Sequence, residues 1–309
     1  MGAFINPLTD WGFKRIFGDK DLLINFLNSL LDGERVITDL RYMNNERESE
    51  QLEQRKVVYD LYCETETGEH IIVEMQNRWQ EFFKDRALFY SAKSIVEQGQ
   101  TGKKWGFQLT PVYGVFFLNF LLDKDDFGYF CKDVSLIDKR TGKVFNEKLR
   151  HFYIELPRFV KSEHHCDNFL EYWIYNLVNM DKLERISFKD QDAIFGRLEQ
   201  VASQANLSPE ERQRYETEWK IYNDYFNTIE SAEKRAKEKG LSEGRAEGHA
   251  EGRAEGLAEG LAEGLTEGEK RGIKQTQVET AKKMLAENFD IELIAKFTGL
   301  SLSEIQALR

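Results

Sequence analysis

Asp60 and Glu74 lie fourteen positions apart in the stretch VVYDLYCETETGEHIIVEMQNR, which begins at Val57 and otherwise alternates like two strands joined by a turn. Taken as a strand from Lys56 to Cys63, it puts Val58, Asp60 and Tyr62 on one face, with Val57, Tyr59, Leu61 and Cys63 on the other. In the partner strand Ile72, Glu74 and Gln76 share a face, opposite Ile71, Val73 and Met75. A tip between Thr65 and Gly68 leaves the two acids about equally far from the turn, so they meet across the hairpin. Two carboxylates on one face repel, and burial adds to the cost, unless one takes a proton or a cation sits between them. A cation that prefers oxygen suits the stretch. Mg²⁺ takes one or two carboxylates together with waters and phosphate oxygens, whereas zinc favours histidine and cysteine, and His70 is the one histidine here. The competing reading is an ordinary hairpin with a polar outer face.

The flanking segments supply what would hold such a hairpin. WGFKRIFGDKDLLINFLNSLL, from Trp11, places Phe13, Ile16 and Phe17, then Leu23, Phe26, Leu27, Leu30 and Leu31, at helical intervals around Gly18 and Asp19. ERVITDLRYMN reads as a strand and NERESEQLEQ as a charged loop. After Asn77 the period lengthens, which predicts a helix with Phe82, Leu88, Phe89, Ala92 and Val96 on its apolar positions and a stop at Gly99. TPVYGVFFLNFLL is apolar and β-branched enough for a buried central strand. Two further strands turn at Thr141-Gly142, and KLRHFYIELP supplies a last one before Pro157. Helix, three strands, helix, then more strands predicts an α/β (α+β) fold with a mixed central sheet flanked by helices.

The composition narrows the function. With 43 basic and 54 acidic residues the net charge is −11, and even residues 1–100 carry more acids than bases, so any contact with nucleic acid must be local. Three scattered cysteines, Cys63, Cys131 and Cys166, form no zinc set and point to a reducing compartment. The N-terminus lacks a basic stretch before an apolar run, and no run of about 18 apolar residues occurs. The expectation is a cytoplasmic protein with no membrane partner.

From Asp167 the chain reads as helices, the longest opened by Ser208-Pro209-Glu210, with Tyr215, Trp219, Tyr222 and Phe226 as a core stripe. From Gly240 to Gly272 glycine recurs at every fourth position, a costly pattern for a helix interior, which reads first as a linker or frayed helix and second as an oligomerisation helix. IELIAKFTGLSLSEIQAL closes the chain in the outline of a helix-turn-helix, with a capping box at Ser301 and Glu304. Its second helix is short and acidic, which favours packing or assembly over reading a major groove. The expected divisions are 1–160 for the sheet domain, 161–239 for a helical segment, 240–272 for the repeat and 273–309 for the closing helix pair.

Four blocks in order, NPLTDWGFKRIFG, YDLYCETETGEHIIVEMQ, RALFYSAKSI and TPVYGVFFLNF, resemble the Rpn-type recombination-promoting nucleases, also called PD-(D/E)XK family transposases. The glycine repeat and closing segment are similar to tails common in such proteins. The resemblance implies a restriction-endonuclease-like fold and a DNA endonuclease that uses Mg²⁺, with Mn²⁺ as an alternative. Asp60 and Glu74 would be its metal ligands, joined by the backbone carbonyl of Met75. Gln76 stands where the superfamily usually has lysine; it can orient water by hydrogen bonds but carries no charge. Arg86, Tyr90 and Lys93 share one side of the next helix at i, i+4 and i+7, which makes them further catalytic candidates. Lys14 and Arg15 are candidates for DNA contact, and the tail for homo-oligomer formation. The rival reading is a non-catalytic DNA-binding or assembly protein that keeps the fold.

Overall fold

Thr9 and Asp19 start the first two helices. In the computed structural model, which describes residues 2–47, 57–99, 106–123 and 128–309, the Thr9 hydroxyl accepts from the Gly12 N–H and donates to the Asn6 carbonyl, opening α1 (Asp10–Phe17). A Cβ on Gly12 would collide with that same Asn6 carbonyl, so the close approach requires glycine. Asp19 caps α2 (Lys20–Leu31) in the same manner.

The strands are β1 (Leu40–Tyr42), β2 (Glu46–Arg47), β3 (Val57–Val58), β4 (Leu61–Thr65), β5 (His70–Gln76), β6 (Val112–Leu118), β7 (Cys131–Ile137) and β8 (Val144–Glu155). Six of them form a mixed sheet in the order β1-β4-β5-β6-β8-β7, while β2 and β3 pair separately. Strands β5, β6 and β8 run parallel, and β6, the expected buried strand, is central. Gly68 (φ 85°) turns the β4–β5 hairpin and Gly142 (φ 70°) the β7–β8 hairpin, in the left-handed region that glycine enters without strain. One strand of 12 residues, β8, replaces the two expected between Val144 and Pro157. The ERVITDLRYMN strand shrinks to its last part, β1.

The strand expected from Lys56 to Cys63 is broken. Lys56 lies outside the described residues, and the chain bends at Tyr59-Asp60 between β3 and β4. The bend swings Tyr59 to the side of Tyr62, where the rings stack at 5.0 Å and 20° and the Tyr59 hydroxyl donates to the Tyr90 carbonyl at 3.1 Å. Strict alternation would have separated them.

Helix α3 (Phe83–Val96) covers that face of the sheet with a different side from the expected one. Phe83, Ala87, Ser91 and Ser94 are buried, while Phe82, Leu88, Phe89 and Val96 are exposed. The serines go inside because the sheet offers them partners: Ser91 shares a hydrogen bond with His151 at 2.8 Å, and Ser94 with Tyr62 at 2.9 Å.

On the other face α1 and α2 pack with α4 (Phe169–Asn179) and α5 (Ala193–Ala202) in a single core. Phe17, Phe26, Phe117, Trp173 and Phe195 meet there. The segment after α5, including the first turns of α6 (Pro209–Ala286), straps down the N-terminus. Ile5 N–H donates to the Ala202 carbonyl at 2.9 Å, and Gln204 Nε2 donates to the Phe4 carbonyl at 2.7 Å. Asn6 N–H donates to the Tyr215 hydroxyl oxygen at 2.9 Å. Tyr215 is buried, as the expected core stripe requires, and Trp219 and Tyr222 continue it half-buried with rings stacked at 5.9 Å.

The chain divides into two units, residues 1–225 and 226–309. In the second, the glycine repeat is helical and exposed, with open space around every one of its Cβ positions. Helices α7 (Ile291–Thr298) and α8 (Leu302–Gln306) turn at Gly299 (φ 73°) and bury Ile294, Leu300 and Ile305 against Ala281. Ser301 and Glu304 form the expected capping box. Among the described residues no helix is long and apolar enough to cross a membrane.

Removing the Tyr215 hydroxyl strands a buried N–H at Asn6. Tyr215→Phe is expected to lose about 1–3 kcal/mol of stability, seen as a lower urea midpoint with an unchanged slope.

Candidate active site

The register of β4 on β5 sets Leu61 opposite Val73, which brings Asp60 level with Glu74 at the open end of the hairpin. Each acid then uses one oxygen on the other strand's backbone. Asp60 N–H donates to Glu74 Oε1 at 3.1 Å, and Met75 N–H donates to Asp60 Oδ2 at 2.8 Å. Asn45 Nδ2 holds the Asp60 carbonyl at 2.8 Å, fixing the bend. The remaining oxygens turn toward cations from opposite faces of the sheet. Lys14 Nζ of α1 lies 3.8 Å from Asp60 Oδ1, and an Arg86 nitrogen of α3 lies 3.7 Å from Glu74 Oε2.

Charge is expensive here. Glu74 is 5% exposed, and burial, followed by the negative charge of Asp60, pushes its pKa up to about 8 against the pull of Arg86 and Lys14. Burial also raises Asp60, opposed by the Met75 N–H and by Lys14. Burial pulls Lys14 down, but Asp10 and then Asp60 and Glu74 more than offset it, so the ammonium ends above the ordinary lysine value.

The other candidates are sorted by the fold. Gln76 sits beside the pair with both ends engaged: Nε2 donates to the Arg78 carbonyl at 2.9 Å, and Oε1 accepts from Arg86 at 3.4 Å. Arg86 also donates to Gln80 at 3.1 Å and lies over the Tyr90 ring at 5.0 Å. Tyr90 is thereby a packing partner of Arg86 and Tyr59, and Lys93 follows it, half-buried, on the next turn of α3. Arg15 points away from the pair. It donates to the Val201 carbonyl at 3.1 Å, pairs with Glu211 and lies against Trp11, which ties α1 to α5 and to the start of α6. The nearness of Lys14 to Asp60 has no signature in the sequence, because 46 positions separate them.

The donor set suits a hard divalent cation. One oxygen of each carboxylate is left unclaimed by the backbone, in a pair whose mutual repulsion a cation would relieve. Among the described residues no three His, Cys, Asp or Glu side chains cluster as a metal cage. Both donors are carboxylates, a set that matches a site completed by waters and phosphate better than a zinc site of histidines and cysteines.

A six-stranded mixed sheet with a helix leading from the β4–β5 hairpin to a parallel central strand is consistent with the PD-(D/E)XK fold. Residues 7–232 match the family model described as PD-(D/E)XK nuclease family transposase, and the chain belongs to that family. Residues 274–309 match a second model, the Rpn/YhgA-like nuclease family C-terminal HTH domain, which spans the end of α6 together with α7 and α8. No curated protein and no solved structure matches the chain.

A carboxyl whose pKa is higher in the folded than in the unfolded state binds more protons when folded, so stability falls as pH rises from about 4.5 to about 8. Glu74→Gln keeps an acceptor for the Asp60 N–H and removes that loss. Its Tm is expected to exceed that of the wild type by about 2–4 °C at pH 8.5, with the gap closing toward pH 5 in metal-free buffer.

Proposed function

We propose that the chain is a divalent-metal-dependent DNA endonuclease that hydrolyses phosphodiester bonds. The observation that carries this reading is the buried carboxylate pair, each acid anchored by one oxygen and offering the other, at the end of the sheet in a chain of this family. Asp60 Oδ1 and Glu74 Oε2 would hold the ion, Mg²⁺ or in its place Mn²⁺, with the Met75 carbonyl as a further oxygen donor. When bound, the metal polarises the phosphate and lowers the pKa of the attacking water.

The residues around the pair divide the remaining work. The Gln76 amide orients water through hydrogen bonds without contributing charge. Arg86, permanently charged and held by Gln76, Gln80 and the Tyr90 ring, keeps positive potential beside Glu74. Lys93 adds to it from the same side of α3. The closing helix-turn-helix supplies local DNA contact, which a net charge of −11 otherwise disfavours. DNA breaks made this way would feed recombination or transposition. The three free cysteines suit a reducing compartment such as the cytoplasm.

Asp60→Asn is expected to lower Mg²⁺-dependent nicking of duplex DNA by at least about a hundredfold, with a Tm equal to or above that of the wild type. Mg²⁺ should raise the Tm of the wild type and leave that of Asp60→Asn unmoved. Nicking that survives the substitution overturns the assignment, and a wild type that binds DNA without cutting it in any divalent metal supports a binding protein built on the nuclease fold.

A further inference from the structure

Cleavage of a phosphodiester builds negative charge on the phosphate oxygens, and a cation already in place at that point lowers the barrier. Gln76 cannot supply it, being neutral and bound at both ends. Arg86 is charged but committed, with Gln76, Gln80, the Tyr90 ring and Glu74 around it. Lys14 is placed differently. Its ammonium is paired with Asp10 at 2.8 Å, on the exposed side of α1, and stands 3.8 Å from Asp60 Oδ1, beyond hydrogen-bond distance. Its side chain is 40% exposed, so it borders both the carboxylate pair and solvent.

The helix that carries it is fixed in rotation. Thr9 and Gly12 lock the first turn onto Asn6, Phe13, Ile16 and Phe17 are buried in the core, and Arg15 is tied to the Val201 carbonyl and Glu211. These contacts set the rotation of α1 that brings Lys14 to the open end of β4–β5.

We infer that Lys14 is the catalytic cation of the nuclease reaction proposed above, its ammonium donating to a non-bridging oxygen of the scissile phosphate beside Asp60. The inference rests on that reading. In the step itself the oxygen of water bonds to phosphorus and the bond from phosphorus to one ester oxygen breaks. The proton of water passes to solvent, and the leaving oxygen takes one from solvent. Lys14 makes and breaks no covalent bond and stays protonated throughout. Asp10 releases it to the phosphate and takes it back.

The test uses the full chain, with Lys14→Met, Lys14→Gln and Lys14→Arg beside the wild type. Four quantities are read: melting with and without Mg²⁺, affinity for a labelled duplex in Ca²⁺, the Mg²⁺ concentration for half-maximal rate, and the single-turnover cleavage rate. Lys14→Met is expected to melt near the wild type, to keep its stabilisation by Mg²⁺, and to bind duplex within about threefold while cutting about a hundredfold more slowly. Its half-maximal Mg²⁺ concentration should be unchanged or lower, since a charge beside Asp60 has been removed. Lys14→Arg should recover part of the rate, and Lys14→Gln repeats the comparison where methionine disturbs folding. A cleavage rate within about threefold of the wild type, or a loss confined to duplex affinity with the single-turnover rate intact, overturns the inference while the nuclease reading stands. If the wild type itself cuts no DNA in any divalent metal, the nuclease reading falls and this inference falls with it.

Discussion

Two buried acids that grip each other's backbone cannot both be charged at low cost, and most of the sheet's open end is arranged around that conflict. The crossed bonds from Asp60 N–H to Glu74 and from Met75 N–H to Asp60 leave one oxygen of each acid unclaimed by the backbone. Lys14 and Arg86 approach those oxygens from opposite faces, so the compensation comes from two helices on different layers. Neither contact is close enough to cancel the charge, so burial still raises both carboxyls, with the charge of Asp60 adding to it at Glu74.

Much of this was legible in the residues. The hairpin, its turn at Gly68, the central strand β6 and the pairing of Asp60 with Glu74 all follow from period-two alternation and turn chemistry, which are local properties. The bend at Asp60 was not, because it is set by contacts distant in sequence: Asn45 on the Asp60 carbonyl and Tyr90 on the Tyr59 hydroxyl. The buried face of α3 departs from the hydrophobic pattern for a related reason. A hydrophobic pattern scores serine as outward, yet Ser91 and Ser94 find His151 and Tyr62 on the sheet, while Leu88 and Phe89 are left exposed. Lys14 and Arg15 are neighbours of similar type with different fates. Their separation depends on which side of α1 is covered by α5 and the start of α6, and no spacing in the sequence encodes that.

The glycine repeat shows the reverse case, in which local cost points one way and the structure the other. Each glycine costs about 1 kcal/mol relative to alanine, yet α6 runs through the repeat without a break. The alanines, leucines, arginines and glutamates between the glycines are good helix formers and sustain it. With open space at every glycine Cβ, no other element among the described residues packs against the glycine positions, which places that stretch at the low end of local stability in the helix.

The strap over the N-terminus has a consequence in time. Both acids, the hairpin and α1 are encoded before residue 77, but Ile5, Phe4 and Asn6 find their partners at Ala202, Gln204 and Tyr215. A chain emerging from the ribosome therefore carries every group of the site long before it can hold α1 in position. The strap closes only once residue 215 has been made, so a nascent chain that stops short of it would hold the candidate residues without the contacts that fasten the N-terminus ahead of α1.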